Sequence, residues 1–176
     1  MDLLALTENE ETVLIVGFFD IRGFSKWSEG RVPREMYDFA TELFERTGAH
    51  ISEAGGYLIK SIGDAGLFIF PAGEPDKAVQ ALLEMKNNCD AWLKQIDYPE
   101  VMSVKVQIGP VACGYMLIEG EKRFDIYGKT VNRAAMMKGH VFALSADLFD
   151  ELSENVQQNF SQFNTPDDSQ IFIFEY

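Results

Sequence analysis

The spacing of apolar and polar positions changes several times along the chain, and each change marks an element. Residues 13–19 form a nearly unbroken apolar run ending at Asp20, the pattern of a strand buried on both faces. Over 33–54 the period becomes helical, with Met36, Phe39, Ala40, Leu43, Phe44 and Ile51 on one stripe. Pro33 suits a helix start and Gly55-Gly56 a helix stop. Residues 57–61 and 65–70 flank Ile62-Gly63-Asp64, which predicts a hairpin with a tight Gly-Asp turn. A second helix opens at Pro75-Asp76, and Ala78, Leu82, Met85, Cys89, Trp92 and Ile96 recur at steps of four and three. Residues 101–108 predict a strand ending at Gly109-Pro110, and 111–117 with 123–127 a second hairpin about Glu119-Gly120. A short helix over 130–138 follows, then one capped by Ser145 that runs to about Leu152, then terminal strands over 160–163 and 171–174.

This order predicts an α+β fold. It is a ferredoxin-like βαββαβ core, with one layer of helices on a mainly antiparallel sheet and a C-terminal strand-helix extension. The first and third strands of such a sheet are neighbours. Asp20, at the end of the first strand, is therefore expected beside Asp64, in the turn before the third. Two such carboxylates repel unless a cation lies between them. On rigid strands they suit a pair of divalent ions, Mg2+ or Mn2+, that bridge phosphate oxygens and activate a hydroxyl. Taken singly, each aspartate reads as a turn or cap residue.

Composition narrows the partners. The chain has 176 residues with 15 Lys plus Arg and 28 Asp plus Glu, a net charge of −13. That balance disfavours nucleic acid and anionic membranes, both of which need a basic surface. It leaves a nucleotide ligand open, since bound cations reverse the field locally. Cys89 and Cys113 lack zinc-like surroundings, His50 and His140 lack ligand spacing, and no apolar run is long enough to span a membrane. A reducing, cytoplasmic setting is the expectation.

Three segments carry a resemblance. FFDIRGFSKWSE, GGYLIKSIGDAGLFIF and FDIYGKTVNRAA are similar, in order and spacing, to the three motifs of class III nucleotidyl cyclases. VKVQIGPVACG resembles the strand and Gly-Pro turn that precede their dimer-side hairpin. The likeness covers a motif-bearing core over 13–152 of one catalytic domain spanning 1–176. It implies that Asp20 and Asp64 hold two divalent ions, with the Ile21 carbonyl assisting. Backbone amides of Arg22, Gly23, Phe24 and Ser25 would cradle a triphosphate. Lys60 and Asp125 match the base-selecting pair and imply adenine, because guanylyl-selective members typically carry Glu and Cys there. Asn132 matches the asparagine that orients the ribose. The expected activity is conversion of ATP to 3′,5′-cyclic AMP and pyrophosphate. The site lies between two chains of a head-to-tail homodimer.

Two departures bear on catalysis. The family places a transition-state arginine four residues after the asparagine, and here that residue is Met136. Loss of such a donor lowers rates roughly 10²–10³-fold in other enzymes. Arg133 shares a helix face with Lys129, Asn132 and Met136 by spacing and either fills the gap or simply faces solvent. The segment over 164–170, NTPDDSQ, offers no lysine for phosphate, which leaves Lys122 or Arg123 as substitutes and predicts dependence on metal charge. The alternative is a cyclase fold that binds nucleotide or a partner chain without turnover.

Overall fold

A computed structural model describes residues 10–137, 141–164 and 170–174. Its order is β1 (Glu10–Ile21), α1 (Phe24–Ser28), α2 (Pro33–Glu53), β2 (Tyr57–Ile62), β3 (Ala65–Pro71), α3 (Pro75–Gln95), β4 (Met102–Ile118) and β5 (Glu121–Tyr127). Then come α4 (Lys129–Met136), β6 (Phe142–Ser145), α5 (Ala146–Phe149), α6 (Glu154–Gln157), β7 (Phe160–Asn164) and β8 (Gln170–Phe174). The strands form one sheet in the order β2-β3-β1-β4-β6-β8-β7, with β5 pairing the far half of β4. Strands β2, β3, β1 and β4 reproduce the ferredoxin-like core, antiparallel throughout. Strand β6 joins β4 in parallel, and β8 and β7 continue the sheet.

The expected elements form, α1 and β6 are added where none was expected, and three further points differ. β4 does not stop at Gly109-Pro110. It runs through for 17 residues, because Val13 and Leu14 of β1 pair with Pro110 and Gly109 and hold that stretch extended. The helix after Ser145 is shorter than expected. Ser145 Oγ does accept from Leu148 N at 3.2 Å, but α5 ends at Phe149 and α6 follows separately. The helices also do not form a single layer. α2 and α3 cover one face, where Ile15, Phe19, Phe68 and Phe70 pack with Leu43 and Leu82, whereas α4 lies on the other, with Val131 against Leu14, Val16 and Ile126.

α3 is fixed to β4 by charge as well as packing. Lys86, 1% exposed, pairs with Asp90, whose second oxygen accepts from Met102 N at 2.8 Å. Cys89 is buried on the same stripe, and burial pushes its thiol up to about 12. Among the described residues, His50 hydrogen-bonds Arg46 O and Asn88 Nδ2. No described helix is long and apolar enough to cross a membrane. His140, Lys138 and the turn at 165–169 lie outside the described residues.

Candidate active site

Register brings the two aspartates together. Phe19 of β1 pairs with Gly66 of β3, so the end of β1 lies against the β2–β3 turn. Ile62 and Ala65 close that turn, leaving Gly63 and Asp64 as its two central residues. Gly63 adopts φ 65°, a left-handed conformation that a side chain resists. The Asp64 carboxylate reaches back to accept from Ile21 N at 3.3 Å. Burial raises its pKa above 3.8, and the nearby Asp20 charge adds to the rise. Asp20 sits opposite Ser103 on the sheet face away from α2 and α3. Its Oδ1 is buried and has no hydrogen-bond partner among the described residues. A buried acceptor left unpaired is costly, and a neighbouring carboxylate cannot satisfy it. A cation can, so the donor set fits divalent ions held by Asp20 and Asp64.

The chain after Ile21 turns at Gly23, φ 70°, into α1. Of the four amides expected to cradle phosphate, that of Arg22 is already committed to Val101 O at 3.1 Å. Those of Gly23, Phe24 and Ser25 stand at the start of α1, where no intrahelical acceptor exists. Tyr98 braces this loop. Its hydroxyl donates to Arg22 O at 2.9 Å, and its ring packs on Trp27 and Phe39. Burial, helped by the Asp64 and Glu100 charges, pushes the phenol up to about 12, so it remains a donor at neutral pH. Sequence reasoning missed Tyr98, which follows α3 and carries no local motif.

Lys60 and Asp125 meet although 65 residues apart. Lys60 Nζ lies 2.6 Å from Asp125 Oδ2, whose other oxygen accepts from Ile126 N at 2.9 Å. A bulge makes the meeting possible. Strict alternation from Tyr57 would turn Lys60 towards the helix-covered face with Leu58. The register instead shifts between Leu58 and Lys60, so that Lys60 stands opposite Leu67 on the open face. Asp125 is 8% exposed and Lys60 41%, so the carboxylate is rigid while the ammonium reaches solvent.

α4 docks through Thr130 Oγ1, which donates to Pro110 O at 2.7 Å. Asn132 and Met136 face outward one turn apart, with Met136 76% exposed. Arg133 diverges from them. With Lys129 it lines a groove shared with Asp147 and Glu151. Arg123 pairs with Glu121 at 3.1 Å, and Lys122 lies over the Tyr115 ring.

The sheet thus has two helices on one face, neighbouring carboxylates where β1 ends against the β2–β3 turn, and a Lys–Asp pair on the opposite face. The chain belongs to the adenylate and guanylate cyclase catalytic domain family, whose model matches residues 6–171. An adenylate cyclase of Anabaena cylindrica is 27% identical over 152 residues, covering 82% of this chain and 30% of that protein. The chain thus spans less than a third of this curated relative. Among solved structures, a bacterial light-regulated adenylyl cyclase superposes with a TM-score of 0.84 at 20% identity, over 98% of this chain and 54% of that one. The guanylyl cyclase Cya2 superposes with a TM-score of 0.79 at 18% identity, over 94% and 93%. Both superpositions show a shared fold.

Proposed function

We propose that the chain is an adenylate cyclase that converts ATP to 3′,5′-cyclic AMP and pyrophosphate at a site shared by two copies of itself. The observation that carries this is the buried, unpaired Oδ1 of Asp20 beside the Asp64 carboxylate. When bound there, two divalent ions would lower the pKa of the ribose 3′-hydroxyl and offset charge on the leaving pyrophosphate. Asp20 and Asp64 hold them, with the Ile21 carbonyl as a further ligand. The amides of Gly23, Phe24 and Ser25 bind the triphosphate. Lys60 donates to the adenine ring nitrogen and Asp125 accepts from its exocyclic amine. Asn132 orients the ribose. In a head-to-tail dimer, Lys60, Asp125 and Asn132 of one copy serve the ions and phosphates held by the other. The 3′-hydroxyl gives its proton to solvent water, and the 3′-oxygen bonds to the α-phosphorus as the bond to pyrophosphate breaks. Met136 supplies no charge to that transition state, so turnover is slow.

The test is an assay of the purified protein with ATP or GTP and Mn2+ or Mg2+, with product identification. Cyclic AMP, formed faster with Mn2+, is expected. Cyclic GMP as the main product would refute the base assignment. The exposed Met136 favours a second reading, nucleotide binding without turnover, which the absence of any cyclic product would support.

A further inference from the structure

The open face beside Asp20 holds a cavity of about 230 Å³. Asp20, Phe18, Ser103, Lys105 and Ala135 are among its walls. Lys105 stands opposite Phe18 in the β1–β4 register, and Ser103 stands opposite Asp20. Side chains two apart on a strand share a face, so Lys105 and Asp20 are diagonal neighbours on the same side of the sheet. Lys105 is half-buried, and its ammonium makes no ion pair or hydrogen bond among the described residues. One cavity is thus lined both by a lysine whose ammonium has no partner among the described residues and by the aspartate that carries the unpaired Oδ1, and the two side chains do not pair with each other.

We infer that Lys105 is a phosphate-binding residue of the same chain that holds the metal carboxylates, supplying a positive charge that Met136 does not. This rests on the cyclase reading for the identity of the ligand. The chemistry is that of a polyphosphate chelated to divalent ions. Phosphate oxygens brought to Asp20 by such ions enter reach of Lys105, and a charge-assisted hydrogen bond forms in a partly desolvated cleft. Without phosphate, the same ammonium opposes a cation at Asp20. The lysine therefore acts with opposite signs on the two ligands, which a purely structural residue would not do.

The experiment compares wild type, Lys105→Met and Lys105→Arg after thermal melts have established that each folds. Calorimetry with pyrophosphate and with adenosine, at saturating Mg2+, measures the two ends of the nucleotide separately. Electron paramagnetic resonance measures Mn2+ affinity without nucleotide. Lys105→Met should weaken pyrophosphate about tenfold, leave adenosine unchanged and tighten Mn2+, and Lys105→Arg should recover pyrophosphate binding. Unchanged pyrophosphate affinity, an equal loss for adenosine, or weaker Mn2+ binding would overturn the assignment. A wild type that binds pyrophosphate through Lys105 but forms no cyclic nucleotide refutes the cyclase reading alone. One that cyclises ATP while Lys105→Met binds pyrophosphate normally refutes the lysine alone.

Discussion

The two ends of the candidate site differ in how far the protein satisfies itself. At the base end, Asp125 has Lys60 on one oxygen and the Ile126 amide on the other. At the phosphate end, Asp20 keeps a buried oxygen without a partner, and Asp64 is raised by burial and by Asp20. The first end is preorganised, with donors and acceptors fixed before a base arrives. The second holds one carboxylate partly desolvated beside another that has a buried unpaired oxygen, a cost that an incoming cation relieves. Preorganisation suits recognition of a neutral base, whereas an unrelieved carboxylate pair makes ion and polyphosphate binding favourable.

The comparison is broken most forcefully at the phosphate end. Asp20→Asn should lower turnover roughly 10²–10³-fold. The same variant should melt higher than wild type in the absence of ions, because the repulsion between Asp20 and Asp64 has gone. A lower melting temperature would contradict that repulsion. At the base end, Lys60→Glu with Asp125→Cys should shift the ATP-to-GTP ratio of kcat/KM about 10- to 100-fold towards GTP. Mn2+ affinity should stay as in wild type. Tyr98→Phe keeps the ring but removes the donor to Arg22 O, at about 1 kcal/mol. A fall in kcat/KM of about fivefold with ATP is expected, alongside unchanged Mn2+ affinity.

The smallest effect is a pH dependence. Asp64 holds its proton more tightly folded than unfolded, so this contribution to stability is complete below pH 3.8 and is lost as pH rises through the higher folded value. Ion-free wild type should therefore lose stability relative to Asp64→Asn across that window, and saturating Mn2+ should reverse the loss. A constant difference in melting temperature would contradict the rise.

Much of this was legible in the sequence. The apolar run into Asp20 and the Gly63-Asp64 turn fix which strand ends meet, because a βαββαβ order makes the first and third strands neighbours. The helix stripes placed the core of α2 and α3, since burial there follows one period, except that Ile96, counted on the α3 stripe, lies past the end of the helix and is exposed. What was not legible depends on tertiary pairing. The bulge before Lys60 changes the face of a single residue and leaves no mark on alternation. The extension of β4 through Gly109-Pro110 is imposed by β1 and runs against local turn propensity. β6, only four residues long, gains its strand character from pairing with β4. Arg133 shares a face with Asn132 by spacing, yet Asp147 and Glu151 flank the groove it lines, and they belong to α5 and the turn after it.

The most direct measurement mixes two inactive variants, Asp20→Ala and Lys60→Ala, at concentrations that allow chains to exchange. If one copy holds the ions and the other reads the base, a mixed dimer contains one intact site, and cyclic AMP formation should reappear. A mixture as inactive as either parent, with exchange of chains verified, would contradict a nucleotide site shared between two copies.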